Sequence, residues 1–281
     1  MTGIPPVRRR LVGSALRRYR ENVGYALEDA AKVLECDRSK ISRIETGQRG
    51  IRPKELRELL TEYGVSDTEQ AALLGLARRG GQHGWWDQYM NVLPETAIDY
   101  VIMESTAAEI MAYEAQLVPD LLQTADYARA VAEAQPGYGS QAQREDAVAA
   151  KSERQAAVLG GGVRLTAVVG EAALHQQVGG PEVMADQLAH LAGLESDFPN
   201  VTVQVLPFSA GAYAAASASV AILRFPGAPS LGVVYLEGLT GGAYLESQQD
   251  VAQYIRAFAL LRSSALTTAE TACLLREMPA R

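Results

Sequence analysis

A chain of 281 residues is long for one compact unit, so two domains are expected. The net charge of −7 divides unevenly: residues 1–80 hold sixteen Lys/Arg against eleven Asp/Glu and residues 81–281 ten against twenty-two, a basic module able to dock on phosphates ahead of an acidic body. Two distant cysteines (Cys36, Cys273), no Cys/His cluster of metal-ligand spacing, no apolar core behind the N-terminal arginines and no bilayer-length apolar run argue against a disulfide scaffold, a metal or other cofactor, a signal peptide and a membrane span, and so for a soluble cytoplasmic protein.

Arg8 to Asn22 reads as the first helix, with Leu11, Ala15, Leu16 and Tyr19 inward and Arg9, Arg10, Arg17, Arg18 and Arg20 around them; Val23-Gly24 ends it. Leu27, Ala30, Ala31 and Leu34 then stand at i, i+3, i+4 and i+7, one stripe of a second helix. A third begins after Asp37, placed to cap its N–H groups, and turns Ile41 and Ile44 toward that stripe. This leaves Arg38, Ser39, Lys40, Ser42 and Arg43 pointing outward. Two helices joined by a tight turn, the second exposing donors near its N-terminus, make a helix-turn-helix suited to a major groove. The loop Thr46 to Arg52, with Arg49 and Arg52, is polar and basic. Pro53 opens a fourth helix with Leu56, Leu59, Leu60 and Tyr63 inward, and Gly64 stops it. Asp67 is expected to cap a fifth, with Ala71, Leu74 and Ala77 inward, before Arg78-Arg79-Gly80-Gly81 closes an all-α module of residues 1–81.

The first module resembles the Xre/Cro and phage-repressor class of helix-turn-helix, through RSKISRIETG (38–47) and RPKELRELL (52–60). The resemblance implies that Arg38, Ser39, Lys40 and Arg43 face base edges or phosphates and that Lys54 lies near the DNA backbone or minor groove. It also implies an ion pair between Arg20 and Glu45 tying the third helix to the first. Two positions depart from the class: Leu27 stands where a phosphate-reaching Gln is usual, and Glu35 where Gly is usual. A left-handed backbone at Glu35 costs about 1 kcal/mol.

Gly80-Gly81-Gln82-His83-Gly84 marks the boundary, so the second domain is residues 82–281. The aromatic run Trp85-Trp86-Asp87-Gln88-Tyr89 follows; Trp85, Trp86 and Tyr89 fit either a ligand-pocket wall or, preferred here, a joint fastening the module to the body. Pro94 to Ile110 reads as a helix, Met111 to Ala115 as a short extended piece, and Pro119 to Ala134 and Gln141 to Leu159 as helices. Beyond Gly160-Gly161-Gly162, the β-branched runs Val163–Val169, Val201–Leu206, Ser219–Phe225 and Gly232–Leu236 read as strands, and helices return at Pro181–Ser196, Ser247–Ser264 and Thr267–Glu277. The second domain is therefore α+β, a small sheet packed by helices.

AYEAQLVPDLLQTADYARAV (112–131), VGEAALHQQVGG (169–180), VTVQVLPFSAGAYAA (201–215), VYLEGLTGGAYLE (234–246) and RAFALLRSSAL (256–266) resemble the actinobacterial regulators that follow an Xre-type module with one characteristic domain. This resemblance spans nearly the whole chain. It implies a dimeric, DNA-binding transcriptional regulator. Members of that group are often encoded beside a small partner protein, as in toxin-antitoxin pairs, which implies that partner and an antitoxin-like role. Asp120 departs from it, since Gly usually follows Val-Pro there.

An enzymatic reading has little to rest on. Glu171 and Glu237 each end a predicted strand and have room to meet at one sheet edge, although helix capping or pairing with Arg154 suits them better. His83, His175 and His190 have no nucleophile at a recognisable spacing, and the glycine runs lack a P-loop lysine. The loop Pro207 to Ala216 suits a cleft cover or a plain connection equally.

Overall fold

The computed structural model describes residues 6–77, 85–89, 95–135, 137, 139–213, 219–226, 228–238 and 241–278. The glycine-rich boundary 80–84, with His83, the residues Arg78, Arg79 and Pro94, and part of the loop after Pro207 lie outside them.

Five helices come first: α1 (Val7–Asn22), α2 (Leu27–Val33), α3 (Arg38–Glu45), α4 (Pro53–Glu62) and α5 (Asp67–Ala77). Their core is made by the predicted stripes, with Leu11, Ala15, Leu16, Ala30, Ile41, Ile44, Leu56, Leu59 and Leu60 all buried. Each such leucine or isoleucine contributes about 1.5–3 kcal/mol by leaving water. Helices α1 and α3 touch backbone to backbone at Gly13, where an added Cβ would lie 2.4 Å from the Ile44 carbonyl oxygen and 2.6 Å from that of Glu45. Glu35 has φ of 47°, the left-handed turn that Gly usually supplies.

Three expectations in this region are corrected. Asp37 precedes α3 but its side chain makes no capping bond; its backbone carbonyl accepts from the Lys40 N–H instead. In α5, Ser66 rather than Asp67 is the cap: its Oγ accepts from the Glu69 N–H at 3.4 Å and donates to Glu69 Oε2 at 2.9 Å. The inward side chains of α5 are Leu73 and Leu76, while Leu74 and Ala77 are half-buried and Ala71 is exposed. This helix packs on α1 and α4 and also on the body, so its apolar residues run round it and the two best-placed leucines take the centre.

The body holds α6 (Glu95–Thr106), β1 (Glu109–Glu114), α7 (Ala125–Ala134), α8 (Gln141–Leu159), β2 (Arg164–Gly170), α9 (Glu171–His175), α10 (Pro181–Asp197), β3 (Val201–Leu206), β4 (Val220–Phe225), β5 (Ala228–Leu236), β6 (Ala243–Leu245), α11 (Gln248–Ser264) and α12 (Thr268–Glu277). The strands form one sheet in the order β3-β2-β1-β4-β5-β6, parallel from β1 to β3 and antiparallel from β4 to β6. With helices packed on that mixed sheet, the body is α+β. One face buries Met111, Tyr113, Val168, Ile222 and Val234 under Val251, Phe258 and Leu261 of α11. The other, with Ile110, Leu165, Val169, Leu223 and Val233, joins a core that runs without a break into the five-helix module.

The sequence reading errs where the sheet competes for backbone. The helix expected to reach Ile110 ends at Thr106, whose hydroxyl bonds back to the Ile102 and Met103 carbonyls, and the Ala108 N–H already donates to Arg224. The short extended piece is in fact the central strand β1. The helix expected from Pro119 is a 3-10 turn (Asp120–Leu122) followed by α7, because Gln123 is extended with its amide held by the Val118 carbonyl, and Thr124 caps Tyr127. Strand β5 begins four residues early beside a bulge at Arg224/Phe225, and β6 and α9 lacked a recognisable pattern. Glu171 follows β2 and Glu237 follows β5, three strand spacings or about 14 Å apart. They end at one edge but do not form a pair.

Gly13→Ala should destabilise the chain by about 3 kcal/mol, because backbone rather than a flexible side chain stands in the way. Glu35→Gly should stabilise it by up to about 1 kcal/mol through relief of the left-handed turn. Urea denaturation followed by circular dichroism measures both.

Candidate nucleic-acid interface

Helix α3 is fixed from below by Ile41 and Ile44 and from its C-terminal end by Glu45. The Arg20 guanidinium meets Glu45 as a fork, Nε to Oε1 at 2.7 Å and Nη2 to Oε2 at 2.9 Å, with side-chain exposures of 8% and 6%. The remaining donor, Nη1, reaches the Tyr25 carbonyl at 2.7 Å, which ties the start of α2 to the same arginine. The carboxylate bonds hold the Arg20 pKa above its ordinary value.

The outward face of α3 is less uniform than its charges suggest. Ser39 and Arg43 are exposed; Arg43 Nε donates only to the Ser39 carbonyl of its own helix, at 3.2 Å. Arg38 is exposed but paired with Glu28 of α2 at 2.9 Å. Lys40 is the least accessible cation of the set. Its Nζ sits 2.7 Å from Glu55 of α4, with side-chain exposures of 18% and 22%. That ammonium holds the Glu55 carboxyl below the usual carboxylate range. Ser42 is half-buried and its carbonyl accepts from Thr46 Oγ1.

Beyond α3, Arg49 and Arg52 are exposed, with no side-chain hydrogen bond or ion pair among the described residues. Lys54 is 89% exposed and 3.8 Å from Glu58. The structure therefore sets Ser39, Arg43, Arg49, Arg52 and Lys54 in solvent and holds Arg38 and Lys40 against carboxylates. The Lys40–Glu55 bridge went unread in the sequence, because its partners lie fifteen positions apart on different helices and no spacing rule joins them.

The aromatic run Trp85 to Tyr89 forms a 3-10 turn against α8. Its rings meet edge to face, Trp85–Trp86 at 5.8 Å and Trp85–Tyr89 at 6.1 Å, and Tyr89 is buried. Among the described residues, other side chains bond the module to the body. The Val7 N–H and Arg8 Nε both donate to Asp99 of α6, at 3.1 and 2.8 Å, and Arg10 Nε donates to Glu246 at 2.8 Å.

A family model described as a domain of unknown function, DUF5753, matches residues 97–277, more than half of the chain. The chain belongs to the DUF5753 family. A helix-turn-helix domain model matches residues 11–73, within the five helices, and supports a DNA-binding regulator. No curated protein and no solved structure matches the chain. In this DUF5753 protein Asp99 and Glu246 lie inside the family region, so the module is held by side chains of the domain that follows it. No helix among the described residues is long and apolar enough to cross a membrane.

Replacing Arg20 alone with Ala should cost about 3–5 kcal/mol, because Glu45 is left charged and buried; the Arg20→Met/Glu45→Leu double variant should stay near the parent. Chemical denaturation of the three proteins gives the comparison.

Proposed function

We propose that this is a sequence-specific transcriptional regulator of the Xre class that binds operator DNA as a homodimer through residues 1–81, with residues 82–281 as a non-enzymatic domain for dimerisation and for an effector or partner. The observation that carries this reading is the surface of Ser39, Arg43, Arg49, Arg52 and Lys54, exposed on a module held rigid by a buried ion pair. A cationic side chain on the outward face of a helix, such as Arg43 in the last turn of α3, suits guanine O6 and N7, each good bidentate contact being worth about 1–3 kcal/mol of discrimination. Arg43 takes the base-reading role. Arg49, Arg52 and Lys54 take phosphates, and Arg38 and Lys40 join by releasing Glu28 and Glu55. A cytoplasmic location and an actinobacterial origin follow from the same reading.

Exposed Leu260 on α11 supports a dimer surface there. The separate surroundings of Glu171, which accepts from the Phe208 N–H, and Glu237 support a binding rather than catalytic role for the body. An antitoxin-like role, sequestering a small protein encoded nearby and repressing its own operon, is the second reading. Phe208, 64% exposed and stacked on His175, favours it as a contact for such a partner. Co-purification with the product of the adjacent reading frame tests that role, and absence of a complex removes it.

Gel shifts on the protein's own promoter test the main reading. Arg43→Ala should lose about 10- to 100-fold in affinity with helicity intact, and Lys40→Ala should lose less. Lys54→Ala should weaken binding equally on all sequences and reduce the salt slope by about 1. Unchanged binding by Arg43→Ala would remove the assigned surface.

A further inference from the structure

The face of the sheet that carries Ile110, Leu165 and Leu223 is closed by helices along most of its length but not at one edge. Ala112 of β1 and Ala221 of β4 are paired residues on the two central strands, yet both keep solvent exposure, and Tyr235 opposite Ala221 does as well. Central-strand residues on a helix-covered face are ordinarily sealed. Small side chains here leave a recess in the packing.

The next row toward the edge carries Glu114 of β1, Ser219 ahead of β4 and Glu237 after β5, continuing the same register and so facing the same side. Ser219 Oγ donates to Glu114. The far wall is α6 and α8, bringing Tyr100, Glu104, Lys151 and Arg154, with Asp120 from the 3-10 turn. This edge is also the switch point of the sheet: the chain leaves β1 toward β2 on one side and returns from β3 to β4 on the other, the place where open sheets hold ligands.

The wall charges pair off. Arg154 forks onto Glu104 at 2.9 and 3.0 Å and reaches Asp120 at 3.1 Å, while Lys151 meets Asp120 at 2.8 Å. Glu114 and Glu237 have no ion pair among the described residues. Their Cα atoms stand two strand spacings apart, about 10 Å, with a hydroxyl between them. Glu114 is half-buried and Glu237 stands exposed at the rim, a spacing that leaves room for one flat or compact cation. Burial first, then Glu237 and Asp120, pushes the Glu114 carboxyl up to about 8. The hydrogen bond from Ser219 and the Lys151 ammonium of α8 oppose this, and the phenol of Tyr127 lies on the same side of the sheet.

We propose that the recess over Ala112 and Ala221 is a binding site for a small organic cation, of the guanidinium or alkylammonium class, held between Glu114 and Glu237. This deepens the effector role proposed for the body and rests on it. The site also lies close to the module. Helix α6 carries Glu104 into the wall and Asp99 onto Arg8, and the rings Tyr100, Tyr235 and Tyr244 follow one another at 4.7 and 5.0 Å, two residues short of the Glu246 that holds Arg10.

Calorimetry on the full chain with n-butylguanidinium, whose charge does not titrate, and with n-butylurea as its neutral counterpart tests the site. The guanidinium should bind at least tenfold more tightly than the urea. Glu237→Gln should lose at least tenfold, and Ala221→Leu, which fills the recess without touching charge, should lose binding with helicity unchanged. Affinity should rise between pH 6 and 9 as Glu114 loses its proton, with proton release to the buffer, and Glu114→Gln should flatten that profile. Equal binding of both probes, no binding of either, or full affinity in Glu237→Gln overturns the site. Gel shifts on the same samples keep the two readings apart. Intact operator binding without cation binding removes the site alone, whereas loss of operator binding by the parent protein removes the regulator.

Discussion

The contact of α1 with α3 is the constraint on which the DNA-facing half depends. Gly13 lets the two backbones meet, and the Arg20–Glu45 fork closes the same interface a short distance away. The two devices work in different ways. Glycine removes volume so that the helices approach, while the ion pair resists rotation because two parallel hydrogen bonds fix direction as well as distance. With Arg20 also bonded to the Tyr25 carbonyl, one side chain sets the relation of three helices. The exposed positions of α3 then have no freedom except their own rotamers.

That rigidity continues into the body. Leu73 and Leu76 of α5 and Met103 of α6 belong to one cluster of buried residues, and Asp99 and Glu246 grip the first turns of α1. An acidic domain thus holds a basic module through the module's own arginines. The charge imbalance along the chain is partly resolved inside the molecule, at a joint that leaves the face of α3 clear.

Much of this was legible in the residues. The first four helices, the left-handed turn at Glu35 and the long helix from Gln141 follow from apolar period and local signals, which act over a few residues. What stayed hidden needed distant partners. Nothing local tells that Met111 to Glu114 is a central strand, since its neighbours β2 and β4 come some fifty and a hundred residues later. The α5 stripe was misplaced because that helix is covered on several sides and its pattern has no single direction. At the interface, the exposure of Arg43 could be read from the helical period, but the capture of Lys40 by Glu55 could not, because it depends on how α4 crosses α3.

The carboxylates beside Arg38, Lys40 and Lys54 give the surface a further property. A duplex that approaches must compete with Glu28, Glu55 and Glu58 for cations already matched, and the displaced acids then face phosphate of like sign. This opposition is the same on every sequence, whereas contacts to base edges differ. On the proposed reading such guarded cations shorten the time spent on random DNA more than on the operator, so the protein gains selectivity by gripping the backbone weakly.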